Sequence, residues 1–199
     1  MLDDATSAAV RRVVALVAIL NLAYFGIEFS VALAIKSVSL FADSIDFLED
    51  ASVNLLIFLA LNWSTKNRSR LGMGLAVILM IPALATVWAL WGKFTSPSVP
   101  EPLYLSTTGL GALVVNLSCA LMLARVLHHA GSITQAAFLS SRNDAIANVA
   151  IIVAGLVTAG TNSIWPDVIV GIGIAIMNLD AAREVWEAAR EEHRAVAPS

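Results

Sequence analysis

The run Ser37-Val38-Ser39-Leu40-Phe41-Ala42-Asp43-Ser44-Ile45-Asp46-Phe47-Leu48-Glu49-Asp50 decides how this chain folds. Asp43, Asp46 and Asp50 recur at i, i+3 and i+7. At 100° per residue they lie within about 60° of one another on one helix face. Asp46 and Asp50 are one turn apart, near enough to share an ion. The surroundings of this acidic stripe are apolar. Of 199 residues, 58% are hydrophobic and 14% charged, and the mean hydropathy is +0.80. Soluble domains are about a quarter charged. A soluble chain of this length buries only about 70% of its surface and needs polar residues for the remainder. Disorder, a disulfide scaffold and an ordinary cytosolic enzyme are excluded. What remains is an all-α integral membrane protein.

Outward from the stripe, six segments are long and apolar enough to cross ~30 Å of hydrocarbon. They run over about Val13–Ile35, Ser39–Leu61, Leu71–Trp91, Leu103–Leu123, Ile133–Ala159 and Trp165–Trp186. The sequence thus predicts a single transmembrane domain, a six-helix bundle, over residues 1–199. Trp63–Arg70 is polar and basic, Lys93–Pro102 holds three prolines, His128–Ser132 contains a glycine breaker, and Gly160–Pro166 is a short polar turn. Arg11, Arg12, Lys66, Arg68, Arg70, Arg125, Arg183, Arg190 and Arg194 fall on one side, against Lys36 and Lys93 on the other. This bias predicts cytoplasmic termini. No soluble domain is expected after the sixth span, and no cleavable signal before the first. A net charge of −3 argues against nucleic acid as a partner. The single cysteine, Cys119, cannot form an internal disulfide.

A charged side chain near the bilayer centre costs ~2.5–3.5 kcal/mol on insertion scales. Six acids are counted within the expected spans: Glu28, Asp43, Asp46, Glu49, Asp50 and Asp144, opposed there by Arg142. A single buried Asp is commonly a structural hydrogen-bond partner. Three on one stripe with another in a later span point to a bound cation, protons, or both. In the fifth span Ser140 and Asp144 are one turn apart, and Asn148 continues their face. Two facing helices, each with an oxygen pair one turn apart, make a four-position metal site. Asp43 lies closer to its helix end and suits a brace equally well. Arg142 points away from this face, toward a partner such as Glu49 or Glu28. Gly171 and Gly173 are expected to allow close helix packing, and Trp63, Trp91, Trp165 and Trp186 to mark the interfaces.

The stretch Ser37–Asp50 resembles the second span of the cation diffusion facilitator family, whose members carry an Ala-Asp pair and then a His or Asp followed four residues later by Asp. Lys36 stands where that family usually has glycine. Asn21 and Glu28 resemble the Asn and Glu of its first span. Leu139–Asp144 falls on the fifth-span motif, and Trp165–Gly171 on the start of the sixth. The resemblance covers all six spans in order. It implies export of a divalent metal from the cytoplasm by proton antiport, most often Zn2+, with Cd2+, Co2+, Mn2+ or Fe2+ as similar ions. The implied site is tetrahedral. Asp46, Asp50 and Asp144 match ligand positions, and Ser140 falls where His is usual.

That substitution leaves three carboxylates and a hydroxyl, an all-oxygen set. Imidazole favours zinc, whereas carboxylate and water suit manganese and magnesium, although zinc also binds carboxylates. Asn143 or a water would complete the sphere in place of Ser140, and Asp43, Glu28 and Glu49 are accessory candidates. Without the histidine, carboxylates would have to carry the proton exchange. The resemblance also implies a homodimer, with the third span as a dimer element, and a form lacking the family's C-terminal cytoplasmic domain. The expected location is a bacterial inner (plasma) membrane. No resident cofactor and no enzymatic reaction are expected; carboxylates one turn apart on one helix are not posed as an aspartyl dyad. The competing reading is a membrane scaffold or regulatory subunit that binds metal without transporting it.

Overall fold

The computed structural model of the chain describes residues 4–60, 84 and 86–177, side chains excepted at 4–7, 56–57, 59–60, 127–140 and 142. The described chain is all helical, with no strand among the described residues. Helix α1 spans Asp4–Ile35 and α2 spans Val38–Ala60. Helix α3 is the described run 86–95, α4 is Pro102–Thr161, and α5 is Trp165–Met177. The basic connection Trp63–Arg70, most of the third span, and the end of the sixth with its tail lie outside the described residues.

Helix α1 stops at Lys36, whose φ of 54° is left-handed. The next amide, of Ser37, donates to the Ala32 carbonyl at 3.0 Å, the six-to-one closure of a helix C-terminus that usually holds glycine. This explains the expectation of glycine at position 36. A side chain there costs about 1 kcal/mol. The chain then returns, and α2 lies antiparallel to α1. Phe29 meets Phe41 at 5.5 Å between ring centroids, Tyr24 meets Phe47 at 5.0 Å, and the Arg11 guanidinium sits 5.1 Å from the Phe58 ring centroid.

Helix α4 opens with Pro102 just after Glu101, where the missing N–H is harmless. Its 60 residues would reach about 90 Å if straight. Yet the Asn116 side-chain amide donates to Asn148 Oδ1 at 3.0 Å, and a Cβ at Gly109 would touch Ile151. The helix therefore doubles back between Val126 and Ser141. Its two limbs contain the candidate spans Pro102–Val126 and Asn143–Thr161. They correspond to the expected fourth and fifth spans. The expected break at His128–Ser132 falls inside this reversal, whose backbone is helical throughout and not an open loop.

Polarity is inverted relative to a soluble protein. Leu16, Ile19, Leu22, Ile27, Leu121 and Ile146 are exposed, while Asn21, Glu28, Asp43 and Asn148 are fully buried. Lipid satisfies the former; the latter need protein groups or a bound ion. Helix α2, at 23 residues, is long enough to span but is not among the candidate spans selected by composition; its four acids explain why. Trp91 and Trp165 are exposed at the Lys36 end, as expected of interfacial indoles.

Apolar layers bracket the polar middle. Ala32, Leu40, Leu105, Ala147, Ile151 and Ile174 fill the Lys36 end. Val17, Cys119 and Leu123, then Val10, Val14 and Val126, fill the Arg11 end.

The Lys36 end is also clasped. Asp167, fully buried on α5, accepts from the amides of Val38 and Ser39 at 3.0 Å each. It also accepts from the hydroxyls of Ser37 at 2.6 Å and Ser39 at 2.7 Å. The Lys93 ammonium stands 3.2 Å from it and donates to the Lys36 carbonyl at 2.6 Å. A carboxylate at a helix N-terminus satisfies free amides and the helix dipole together. Gly171 permits the approach, since a Cβ there would lie 2.8 Å from Val38 and 2.9 Å from the Ser39 nitrogen. Among the described residues, a Cβ at Gly173 would meet no atom within 4 Å, so the close contact seen at Gly171 has no counterpart there. The count of six acids within spans also misses Asp167, Asp180 and Glu184 of the expected sixth span; of these, Asp167 lies near its start with Lys93 as its countercharge.

Candidate metal centre

Helix α2 and the return limb of α4 run antiparallel, and their polar residues meet in register. At one level the Asn148 side-chain amide donates to Asp43 Oδ2 at 2.6 Å. Seven residues along α2, the Ser141 hydroxyl donates to Asp50 Oδ2 at 3.3 Å. Between these levels lie Asp46 on α2 and Asp144 on the return limb, with Asp43, Glu49 and Asp50 the other charges near Asp46. The two stripes carry the same spacing, 43–46–50 and 141–144–148. Because the helices are antiparallel, gaps of three and four residues on α2 meet gaps of four and three on the return limb, so the end pairs are level and the middle pair is offset by one residue, about 1.5 Å. The ladder is about 10 Å long.

Asn148 is held from behind by Asn116, which fixes its amide to point its nitrogen at Asp43. Helix α1 supplies a third wall. Glu28 lies against Asp43, with Asp46 its next charged neighbour. It is fully buried, and among the described residues no donor group reaches its carboxylate oxygens or Asp43 Oδ1; its side-chain neighbour is the Asp43 carboxylate, with which it can share a proton. Tyr24 anchors α1 by donating to the Thr108 carbonyl at 2.7 Å.

The expected ligands Asp46, Asp50 and Asp144 lie on two facing helices, with Asp43 and Glu28 among the charges around Asp46 or its neighbours. Glu49 is half-buried and among the charges around Asp46. Asn143 is exposed, off the shared face. The side chains of Ser140 and Arg142 lie outside the described residues. Ser141, one residue on, is the serine seen against Asp50, and the sequence reading missed it. The mirrored spacing 141–144–148 is the signal that could have found it.

Among the described residues, no three His, Cys, Asp or Glu side chains stand close enough to hold one metal ion as placed. Carboxylates facing one another across a bundle repel in a medium of low dielectric. A cation between Asp46 and Asp144 would draw the rungs together. Every donor described on the two stripes is oxygen or amide, a hard set suited to divalent cations that accept carboxylate.

No curated protein matches the chain. A family model does: the cation efflux transmembrane domain matches residues 14–191. That match spans both stripes, the α1 wall and the clasp. Together with the inverted polarity and the acidic ladder, it makes this chain a member of the cation efflux family, an integral membrane cation transporter.

Proposed function

We propose that the protein exports a divalent cation from the cytoplasm in exchange for protons, with Zn2+ the first candidate and Cd2+, Co2+, Mn2+ or Fe2+ as alternatives. One observation carries the reading: two oxygen-bearing stripes, on α2 and the return limb of α4, meet in register inside the bundle with Asp46 opposite Asp144. The ion enters from the Arg11 end, where the basic residues gather, and binds Asp46, Asp50 and Asp144. Ser140 or Ser141 contributes a hydroxyl. Binding requires deprotonated carboxylates and so releases their protons. The apolar layer at the Lys36 end then parts to the outside. Protons reload the carboxylates and expel the ion. A homodimer in a bacterial plasma membrane is the proposed setting.

The test is reconstitution in vesicles with a metal-sensitive dye and an imposed pH gradient. Metal flux that follows the gradient, and is lost in Asp50→Ala and Asp144→Ala, is the expected result. Wild-type flux in both variants would overturn the site. Saturable binding without flux would favour the scaffold reading, which the absence of histidine from both stripes supports.

A further inference from the structure

We infer that Asn21, on α1, is a direct oxygen ligand of the transported cation at the level of Asp50, and that it biases the site toward harder ions. The inference rests on the transport reading above and adds a third helix to its ligand set.

Asn21 is fully buried, and among the described residues neither its amide nitrogen nor its carbonyl oxygen has a hydrogen-bond partner. An unpaired buried amide is costly, and native structures keep one where a water, ion or functional contact meets it. Asn116 and Asn148, by contrast, are bonded to each other.

Register locates Asn21. Glu28 lies against Asp43, and Tyr24 stacks on Phe47. Seven residues back from Glu28 is Asn21, and seven forward from Asp43 is Asp50. Seven residues turn a helix by nearly two full revolutions, so both pairs keep the same faces. Asn21 therefore stands at Asp50's level, on the face that α1 presents to the acidic stripe. Ser141 meets Asp50 at that level from the opposite side. One turn further along α1, Val17 is fully buried with Cys119 and Leu123. Asn21 is thus the last polar group on this face before the apolar layer.

The chemistry follows. An amide carbonyl is a neutral, hard donor that suits oxygen-preferring cations more than zinc. It adds a ligand without adding a proton to be exchanged. Its nitrogen remains free to donate to a neighbouring carboxylate.

The test is competition binding of Mn2+ and Zn2+ to the purified full chain in detergent, for wild type, Asn21→Leu, Asn21→Asp and Asp144→Ala. Asn21→Leu is expected to lose Mn2+ affinity by roughly tenfold or more and Zn2+ affinity by less, shifting the ratio toward zinc. Asn21→Asp, nearly the same size, is expected to bind both ions and to release one more proton per metal than wild type. Suppose instead that wild type binds, Asp144→Ala does not, and the Mn2+ to Zn2+ ratio is unmoved in Asn21→Leu. The Asn21 assignment is then overturned while the transport reading survives. If Asn21→Leu does not fold, unchanged affinity and proton release in Asn21→Asp overturn it equally. A wild-type chain that binds neither ion removes both.

Discussion

Two groups of buried charge in this bundle are built on opposite plans. At the Lys36 end, Asp167 is fully buried and saturated: it accepts from two backbone amides and two hydroxyls and faces the Lys93 ammonium. In the middle of the bundle, Glu28 is equally buried, yet among the described residues no donor group reaches its oxygens or one oxygen of Asp43, the carboxylate it lies against. Both groups meet the same hydration penalty. The first offsets it permanently with protein groups and so joins α2, α3 and α5. The second leaves it open, which destabilises the empty bundle and favours whatever positive charge arrives. A charge that serves the fold carries its partners with it; a charge that serves transport waits for one.

The contrast breaks most readily at the clasp. Asp167→Ala leaves the Lys93 ammonium buried and unpaired, and should cost about 3–5 kcal/mol, read as a fall in melting temperature in detergent. A variant with unchanged stability would mean the clasp is no more structural than the ladder. Next in size is the effect of metal. A saturating divalent ion at ~100 times its Kd should stabilise wild type by about 2.7 kcal/mol. The gain should vanish in Asp144→Ala and shrink as pH falls, because protons compete for the carboxylates. Equal stabilisation of the variant would detach the ladder from metal.

Glu28→Gln tests the sign. Removing an unpartnered charge should leave the metal-free protein as stable or more so, by about 1–2 kcal/mol, while weakening metal stabilisation. A loss of stability comparable to that of Asp167→Ala would show that Glu28 is a structural charge. The smallest effect belongs to the turn beside the clasp. Lys36→Gly relieves a left-handed backbone and should raise stability by up to about 1 kcal/mol, since the carbonyl that Lys93 uses is retained.

Much of this was legible in the sequence. Ile35 ends α1 as expected, α2 begins one residue early at Val38 and α5 starts at Trp165, whereas α1 begins at Asp4, nine residues before Val13. The 43–46–50 stripe could be read because helical periodicity alone sets it. Its partner could not be fully read, since i+3 and i+4 both lie on one face and only the facing helix chooses. Ser140 and Ser141 are equivalent by spacing, and Asp50 meets Ser141. The Lys93–Asp167 pair joins residues far apart in the chain, and nothing local distinguishes Lys93 from an ordinary interfacial lysine. Asn21 stood out in the sequence only through resemblance; its unpartnered burial is a property of the packing.

The matched spacing of the two stripes has a mechanical meaning. Antiparallel rows with teeth at i, i+3 and i+7 fit together in more than one position. If the return limb slid one helical turn along α2, about 5.4 Å, Asp144 would leave Asp46 and come level with Asp43, while Ser141 would come level with Asp46. The middle rung would change from two carboxylates to one carboxylate and a hydroxyl, and so would hold a divalent ion less tightly. The bundle thus contains a rack whose two settings differ in grip, without any side chain having to change its rotamer.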